Sequence, residues 1–251
     1  MTTVVLLPEP PVEGVACASL VKNSALTDAD GVALYRAMLG DVLETLAGST
    51  VDVLVNYPTA EDIPAGADAD PESDLRAIAG KAMGPDRFED VRFEPQVGSD
   101  FSAKAGNAIT HLLREEEVQS AAALRPCVPR LVRSIVDEGA LKLRRADVVI
   151  GPGPRGQVFF AGFSAPIDFA EAFADRPVET LTRRAREADL DVDFLRQRTI
   201  LDRPSDLIGT LSRLQADVLA GKPVPERSWK TVQERGIDVR DGEVVSGTDS
   251  S

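Results

Sequence analysis

Residues 146–163 read ADVVIGPGPRGQVFFAGF. Val148, Val149 and Ile150 form a β-branched apolar run bounded by glycine and proline, the pattern of a short strand buried on both faces of a parallel sheet. Gly151, Gly153 and Gly156 crowd the turn that follows, and a second apolar run, 158–163, begins at once. A strand leaving a sheet through such a turn puts backbone amides at the carboxyl edge, where open α/β sheets bind ligands. The stretch matches GxGxxG letter for letter, yet a dinucleotide-binding turn must open a helix whose amino terminus holds the pyrophosphate. Here an apolar strand follows instead, and Pro152 and Pro154 remove amide donors, which argues against a dinucleotide site.

Outward from this turn, strands and helices alternate. Residues 3–7 read as a buried strand stopped by Pro8, Pro10 and Pro11. A loop to about 24 precedes a helix that starts at Thr27 and Asp30 and runs to about 47. Its residues Val32, Tyr35, Leu39, Val42, Leu43 and Leu46 recur at helical spacing, and Gly48 ends it. Residues 51–57 are the next strand, and 58–73, acidic and rich in proline and glycine, form a surface loop. Helix 72–83, strand 91–94, a helical face of Phe101, Ala105, Ala108, Ile109 and Leu112, strand 118–124 and helix 128–136 lead to the central strand. Beyond it, 167–173 and 178–188 read as helices, 192–195 as a strand, and 204–220 as a helix with proline in its first turn. The alternation predicts an α/β chain, with a mostly parallel sheet that holds 3–7, 51–57, 118–124 and 148–150 and is covered by helices on both faces. Residues 1–221 are assigned to this domain. Residues 222–251 are a carboxyl-terminal extension, with an Asp241-Gly242 hairpin turn and a disordered tail from about 246.

The chain carries a formal net charge of −13, which argues against a nucleic-acid partner, because phosphate recognition needs a clustered basic surface. Most of its positive charge is arginine; an acidic, lysine-poor surface suits a halophilic, high-salt cytoplasm or an ordinary acidic cytosolic protein. Cys17 and Cys127, the two cysteines, cannot build a disulfide framework and fit a reducing compartment as free thiols. The opening MTTVVLLPEPP lacks the basic flank and apolar length of a signal peptide or membrane span, so a cytoplasmic protein without a membrane partner is expected. No GxxxxGK[ST] stretch exists, which removes a P-loop hydrolase. His111, the single histidine, reads as a half-buried helix residue, and residues 115–117 as a solvated acidic end. Arg183, Arg184 and Arg186, interleaved with Glu179, Glu187 and Asp189, read as a salt-bridged helix face.

Four stretches, in order, resemble the motifs of one family. Leu34-Tyr35-Arg36-Ala37 resembles its Leu-Tyr-Arg-Ala helix, and residues 96–104, QVGSDFSAK, its QxGxDLGxR segment. Residues 147–162 resemble its DVVxGPxxDGGYxLxG strand-turn-strand, and residues 200–207, ILDRPSDL, its closing DxDxPxDL. On these grounds roughly residues 1–215 resemble the glycosyltransferase A (GT-A-like) proteins of the nucleotide-diphospho-sugar transferase superfamily. The resemblance implies a three-layer α/β/α Rossmann-like sandwich. It also implies a pocket over the carboxyl edge of the sheet for a nucleotide, sugar nucleotide or other anion.

The departures from that family fall on its chemistry. Its basic Lys-Thr-Arg-Leu loop corresponds to Cys17-Ala18-Ser19-Leu20, with neither cation. Cys127 stands where the metal-binding Asp of its GSDCPDL is expected, and Arg130 replaces a second acid there. In the central turn Arg155 replaces an Asp, Gln157 a glycine and Val158 a tyrosine, while Ile200 replaces the first Asp of the closing motif. A protonated thiol is a poor ligand for Mg²⁺ or Mn²⁺, so no cofactor is expected unless the site is remodelled. Transfer from a sugar nucleotide needs that metal to neutralise the leaving diphosphate.

The candidate ligand-binding residues are therefore Gly14, Asp100, Lys104, Arg125, Arg130, Gly153, Arg155 and Asp202, and no catalytic residue is assigned. Asp202 and Asp206 are open also to capping the helix near Pro204. At least two of Arg125, Arg130 and Arg155 are expected to converge in one cleft, where a guanidinium fork holds a phosphate or carboxylate without metal. The alternative is that they lie on the surface paired with nearby acids. Three functions stay open: a catalytically silent GT-A-like binder of a nucleotide or other anion, an active glycosyltransferase or nucleotidyltransferase with a remodelled site, and a non-catalytic partner-binding protein.

Overall fold

Strand β1 (Thr2–Leu6) alternates its side chains between two hydrophobic clusters, and the rest of the chain is layered on those two faces. The computed structural model describes residues 1–67 and 69–247. After β1 come α1 (Ala18–Lys22), α2 (Asp28–Ala47), β2 (Asp52–Tyr57), α3 (Pro71–Met83), α4 (Pro85–Glu89), β3 (Arg92–Pro95), α5 (Phe101–Arg114), β4 (Ser120–Leu124) and α6 (Arg133–Lys142). Then follow β5 (Val148–Pro152), β6 (Val158–Phe163), α7 (Pro177–Glu187), β7 (Val192–Phe194), α8 (Pro204–Leu219), α9 (Glu226–Glu234), β8 (Asp238–Arg240) and β9 (Glu243–Val245). The first seven strands form one sheet in the order β3-β2-β1-β4-β6-β5-β7. All its pairings are parallel except those of β6, which runs antiparallel to both β4 and β5. The four expected strands all lie in this sheet, and the architecture is the α/β sandwich read from the sequence.

Val4 and Leu6 face one layer with α2 (Leu34, Met38, Leu43) and α8 (Leu207, Leu211), while Val5 and Leu7 face the other with α5 (Ala105, Ile109, Leu112) and α7 (Leu181, Ala185). Helix α2 begins with the expected capping box: the Thr27 hydroxyl accepts from the Asp30 amide at 3.1 Å, and Asp30 accepts from the Thr27 amide at 3.0 Å. The β8-β9 hairpin turns at Asp241-Gly242, both with positive φ.

Five details differ from the sequence reading. A short helix, α1, lies inside the expected loop to 24. The 128–136 helix starts only at Arg133, since 128–131 is a turn closed by Leu131 N–H on the Val128 carbonyl at 3.1 Å. Residues 167–173 are not helical; Glu171 sits at φ 53°, and the apolar spacing there serves Phe169 and Phe173, which stack edge-on against Phe163 and Phe101. Helix α9 was not anticipated. Its amino terminus caps a buried carboxylate of α2: Asp41 accepts from the amides of Arg227 and Ser228 at 3.1 and 2.9 Å and from the Ser228 hydroxyl at 2.5 Å. Finally, the tail is tied down further than expected, with Ser246 Oγ bonded to Asp30 at 2.8 Å and Gly247 N–H to the Arg235 carbonyl at 3.0 Å; residues 248–251 lie outside the described residues. No described helix is long and apolar enough to cross a membrane.

Gly106 on α5 lets Phe169 approach so closely that a Cβ there would lie 2.5 Å from Phe169 Cβ. Gly106→Ala should therefore destabilise the fold by about 1–3 kcal/mol through overpacking, read as a lower urea midpoint with unchanged slope. An unchanged midpoint would show that the 167–173 segment is free to move away.

Candidate functional site

Because β5 and β6 form a hairpin whose turn sits at the carboxyl edge, the edges of β1, β4 and β6 meet there around a cleft of about 300 Å³. Each strand delivers a residue just past its end: Leu7 and Glu9 after β1, Arg125 and Cys127 after β4, and Gln157 before β6. Cys17 and Ser19 of the α1 loop and the strap Ile200, Leu201 and Asp202 complete the walls. The strap is held by the Leu201 amide on the Cys127 carbonyl at 2.8 Å. It can lie this close because Gly153 has no side chain: a Cβ there would meet Ile200 Cδ1 at 2.5 Å.

Arg125 is the cation of the cleft. Its amide bonds the Phe159 carbonyl at 2.9 Å, its Nε the Val158 carbonyl at 3.2 Å, and its guanidinium lies 4.0 Å from the centre of the Phe101 ring. Burial pulls its pKa below the ordinary value, against the pull of Glu9 and Asp202, and the group stays charged. Glu9 reaches solvent at the cleft mouth, yet the surrounding walls desolvate its carboxyl enough to raise its pKa, with Arg125 opposing and Asp202 adding to the rise. Fully buried Tyr35 fixes this loop: its hydroxyl accepts from the Glu9 amide at 2.7 Å and donates to the Glu9 carbonyl at 3.2 Å.

The donor set does not suit a hard divalent cation. A hydrogen bond with Cys17, together with burial, pushes the Cys127 thiol well above its usual range, so sulfur is presented in protonated form where oxygen is wanted. Among the described residues, no three His, Cys, Asp or Glu side chains converge as a metal site.

Of the eight candidate residues, the structure brings Arg125 and Asp202 together in the cleft, with Gly153 behind the strap. Arg155 stands at its edge, 3.9 Å from Asp202 and 3.4 Å from Gln157, and the others stand elsewhere. Gly14 is a left-handed loop residue at φ 75°, Asp100 caps α5 through the Ala103 amide at 3.0 Å, and Lys104 is paired with Asp62. Arg130 bonds Asp217 at 2.6 Å, and Arg155 bonds both oxygens of Asp206, at 3.0 and 2.9 Å. The expected convergence fails for Arg130 and Arg155: their partners Asp217 and Asp206 are eleven residues apart on α8, about 16 Å along its axis, while Arg155 keeps to the edge of the cleft beside Asp202, whose charge also acts on Arg125. Asp206 does cap α8, accepting from the Arg203 amide at 3.0 Å. Burial alone would raise its carboxyl, but the Arg155 fork and the backbone donors outweigh that and hold it below the usual range. His111 is exposed and 3.5 Å from Glu116, and Arg183 and Arg186 pair with Glu187 and Asp191 on the surface. Sequence reasoning missed Glu9, Cys17, Phe101 and Gln157; position just past a strand end was the available signal for Glu9 and Gln157.

No family model and no curated protein matches this sequence. Solved structures do. A protein of Desulfovibrio desulfuricans G20 assigned to the nucleotide-diphospho-sugar transferases superimposes with a TM-score of 0.72 at 19% identity, over 94% of this chain and 95% of that one. The 4-diphosphocytidyl-2C-methyl-D-erythritol synthase of Anaerococcus prevotii DSM 20548 superimposes with a TM-score of 0.51 at 10% identity, over 86% and 98%. The chain has the GT-A-like fold of the nucleotide-diphospho-sugar transferases and cytidylyltransferases, with its cleft at the carboxyl edge of the sheet.

Proposed function

We propose that this chain binds a nucleotide, or another anion bearing a single phosphate, through Arg125 without a divalent metal, and that it does not catalyse transfer from a sugar nucleotide. The reading is supported above all by the charge count of the cleft. Arg125 is the cation among its lining residues, faced by Glu9 and Asp202; Arg130 is committed to Asp217, Arg155 at the edge beside Asp202 gives its fork to Asp206, and Lys104, which acts on Glu9 from outside, is paired with Asp62. A diphosphate would need more positive charge than one guanidinium supplies, whereas one phosphate is matched by its fork. With the Cys127 thiol held protonated, no metal ligand stands there to neutralise a departing diphosphate. The resemblance to transferases supplies the nucleotide as the first ligand class to try.

Calorimetric titration with CMP, UMP, CDP and UDP-sugars, with and without Mn²⁺, tests this. Monophosphate binding should be independent of metal, and Arg125→Ala should weaken it about tenfold or more, the loss of one charge-assisted contact. Binding that needs Mn²⁺, or release of a sugar product from a sugar nucleotide, would overturn the reading. Because the Glu9 carboxyl lies above its usual range, it protonates earlier than an ordinary carboxyl as pH falls, and the repulsion it exerts on the bound phosphate should fade with it, a contribution read on top of the protonation of the phosphate itself. Glu9→Gln should remove that contribution.

Arg155 should act mainly on stability. Arg155→Ala should cost about 1–3 kcal/mol at pH 7, below the value for a fully buried pair because Arg155 is partly exposed, and should weaken CMP binding less than Arg125→Ala does, since Arg155 meets the cleft only at its edge. A depressed carboxyl contributes stability above its ordinary pKa of 3.8 and loses it as pH falls through the lower native value, so urea unfolding of variant and parent should converge near pH 2.

A further inference from the structure

Half-buried arginines in this chain have an acid within ion-pair distance, with two exceptions among the described residues, Arg125 and Arg198. Arg125 has a phenyl ring and a carbonyl as substitutes. Arg198 has neither. Its Nε is covered from solvent and bonded to nothing, and an unmet buried donor on a charged group is costly in a chain rich in acids. Its backbone cannot swing away, because Leu195, Arg198 and Leu201 are each tied by their amides, to Ile150, Pro152 and Cys127 at 2.9, 3.1 and 2.8 Å.

The side chain lies on a second cleft, of about 600 Å³, between α2, the 128–132 turn and the 223–225 segment ahead of α9. Arg130 shares that wall. Burial and the nearby charges of Arg130 and Arg196 lower the pKa of Arg198, with Glu138 opposing. Asp217 does not cancel this charge, because it already serves two cations, Arg130 at 2.6 Å and Arg213 at 3.1 Å. The rest of the lining is largely apolar, with Val42, Val128 and Val132, the last 47% exposed. Of the acids around the cleft, Asp41 is held by Ser228 and Glu44 by Arg227, while Glu226 stands exposed on the opposite rim.

We propose that this second cleft binds a small organic oxyanion, with its phosphate or carboxylate on Arg198 and Arg130 and its apolar body against Val42, Val128 and Val132. An oxyanion in the cleft meets the solvent-reaching end of the Arg198 guanidinium, which has no acid partner, and relieves the repulsion between two neighbouring guanidinium groups. The apolar walls select a ligand with a hydrophobic body over inorganic phosphate.

Titration with phenyl phosphate, benzoate and inorganic phosphate, followed by arginine Nε–H signals in ¹H–¹⁵N NMR, tests the site. In the Arg125→Ala background, which silences the first cleft, phenyl phosphate should bind at about 1 mM or tighter and move the Arg198 Nε–H signal, with inorganic phosphate weaker. Arg198→Gln should weaken binding at least tenfold, Arg198→Lys several-fold through loss of the planar fork, and Arg183→Gln, on the exposed surface of α7, not at all. Glu226→Gln should tighten it. No movement of the Arg198 signal with either organic probe, or equal affinity in a cooperatively melting Arg198→Gln variant, would overturn the proposal. Should Arg198→Gln fail to fold, the signal in the parent protein decides, and the first cleft stands or falls separately on Arg125.

Discussion

Strands β1, β4, β5 and β6 are covered on both faces, so nearly every side chain along them is apolar and almost all their backbone polarity is satisfied within the sheet. Polar groups are pushed to the two edges. At the amino edge, Thr2 and Ser120 answer one another through their hydroxyls at 2.8 Å. At the carboxyl edge the strands release loops, and the functional side chains collect where the ladder ends. Arg125, the first residue past β4, comes to lie in the same cleft as Cys127 with its guanidinium over the Phe101 ring. Position, not motif, makes that edge a site.

Charge is distributed by helix α8. Its two nearly buried acids, Asp206 and Asp217, hold Arg155 and Arg130, the same residues that stand where the related motif has acids. Each of these arginines thus has an acid of the neighbouring helix for a partner. Inside the first cleft Arg125 faces two carboxylates, with Lys104 acting on Glu9 and Arg155 on Asp202 from its edge.

Apolar runs and capping signals carried most of the fold. The β-branched 148–150 run, the Thr27-Asp30 box and the Pro204 helix start are local patterns whose outcome needs only nearby residues. What escaped reading depends on remote partners. Arg155 finds its acid 51 residues on and Arg130 87 residues on, a choice that spacing cannot disclose. Helix α9 offers only Trp229 and Val232 as apolar anchors, and its reason for forming there is Asp41, far back in α2. Residues 167–173 have helical spacing without helical backbone, because the aromatic rings dictate their path.

The carboxylate of Asp41 waits for its donors across 187 residues. At a synthesis rate of about 5–20 residues per second, α2 is made about 10–40 s before Ser228 exists to meet it. During that interval the nascent α2 presents a helix face bearing an ionised acid that water must solvate, and the layer built on α2 cannot close fully over it. A stretch made 187 residues later is therefore the one that seals the first long helix, and a chain interrupted before Ser228 is left with an unsealed flank rather than a shortened domain.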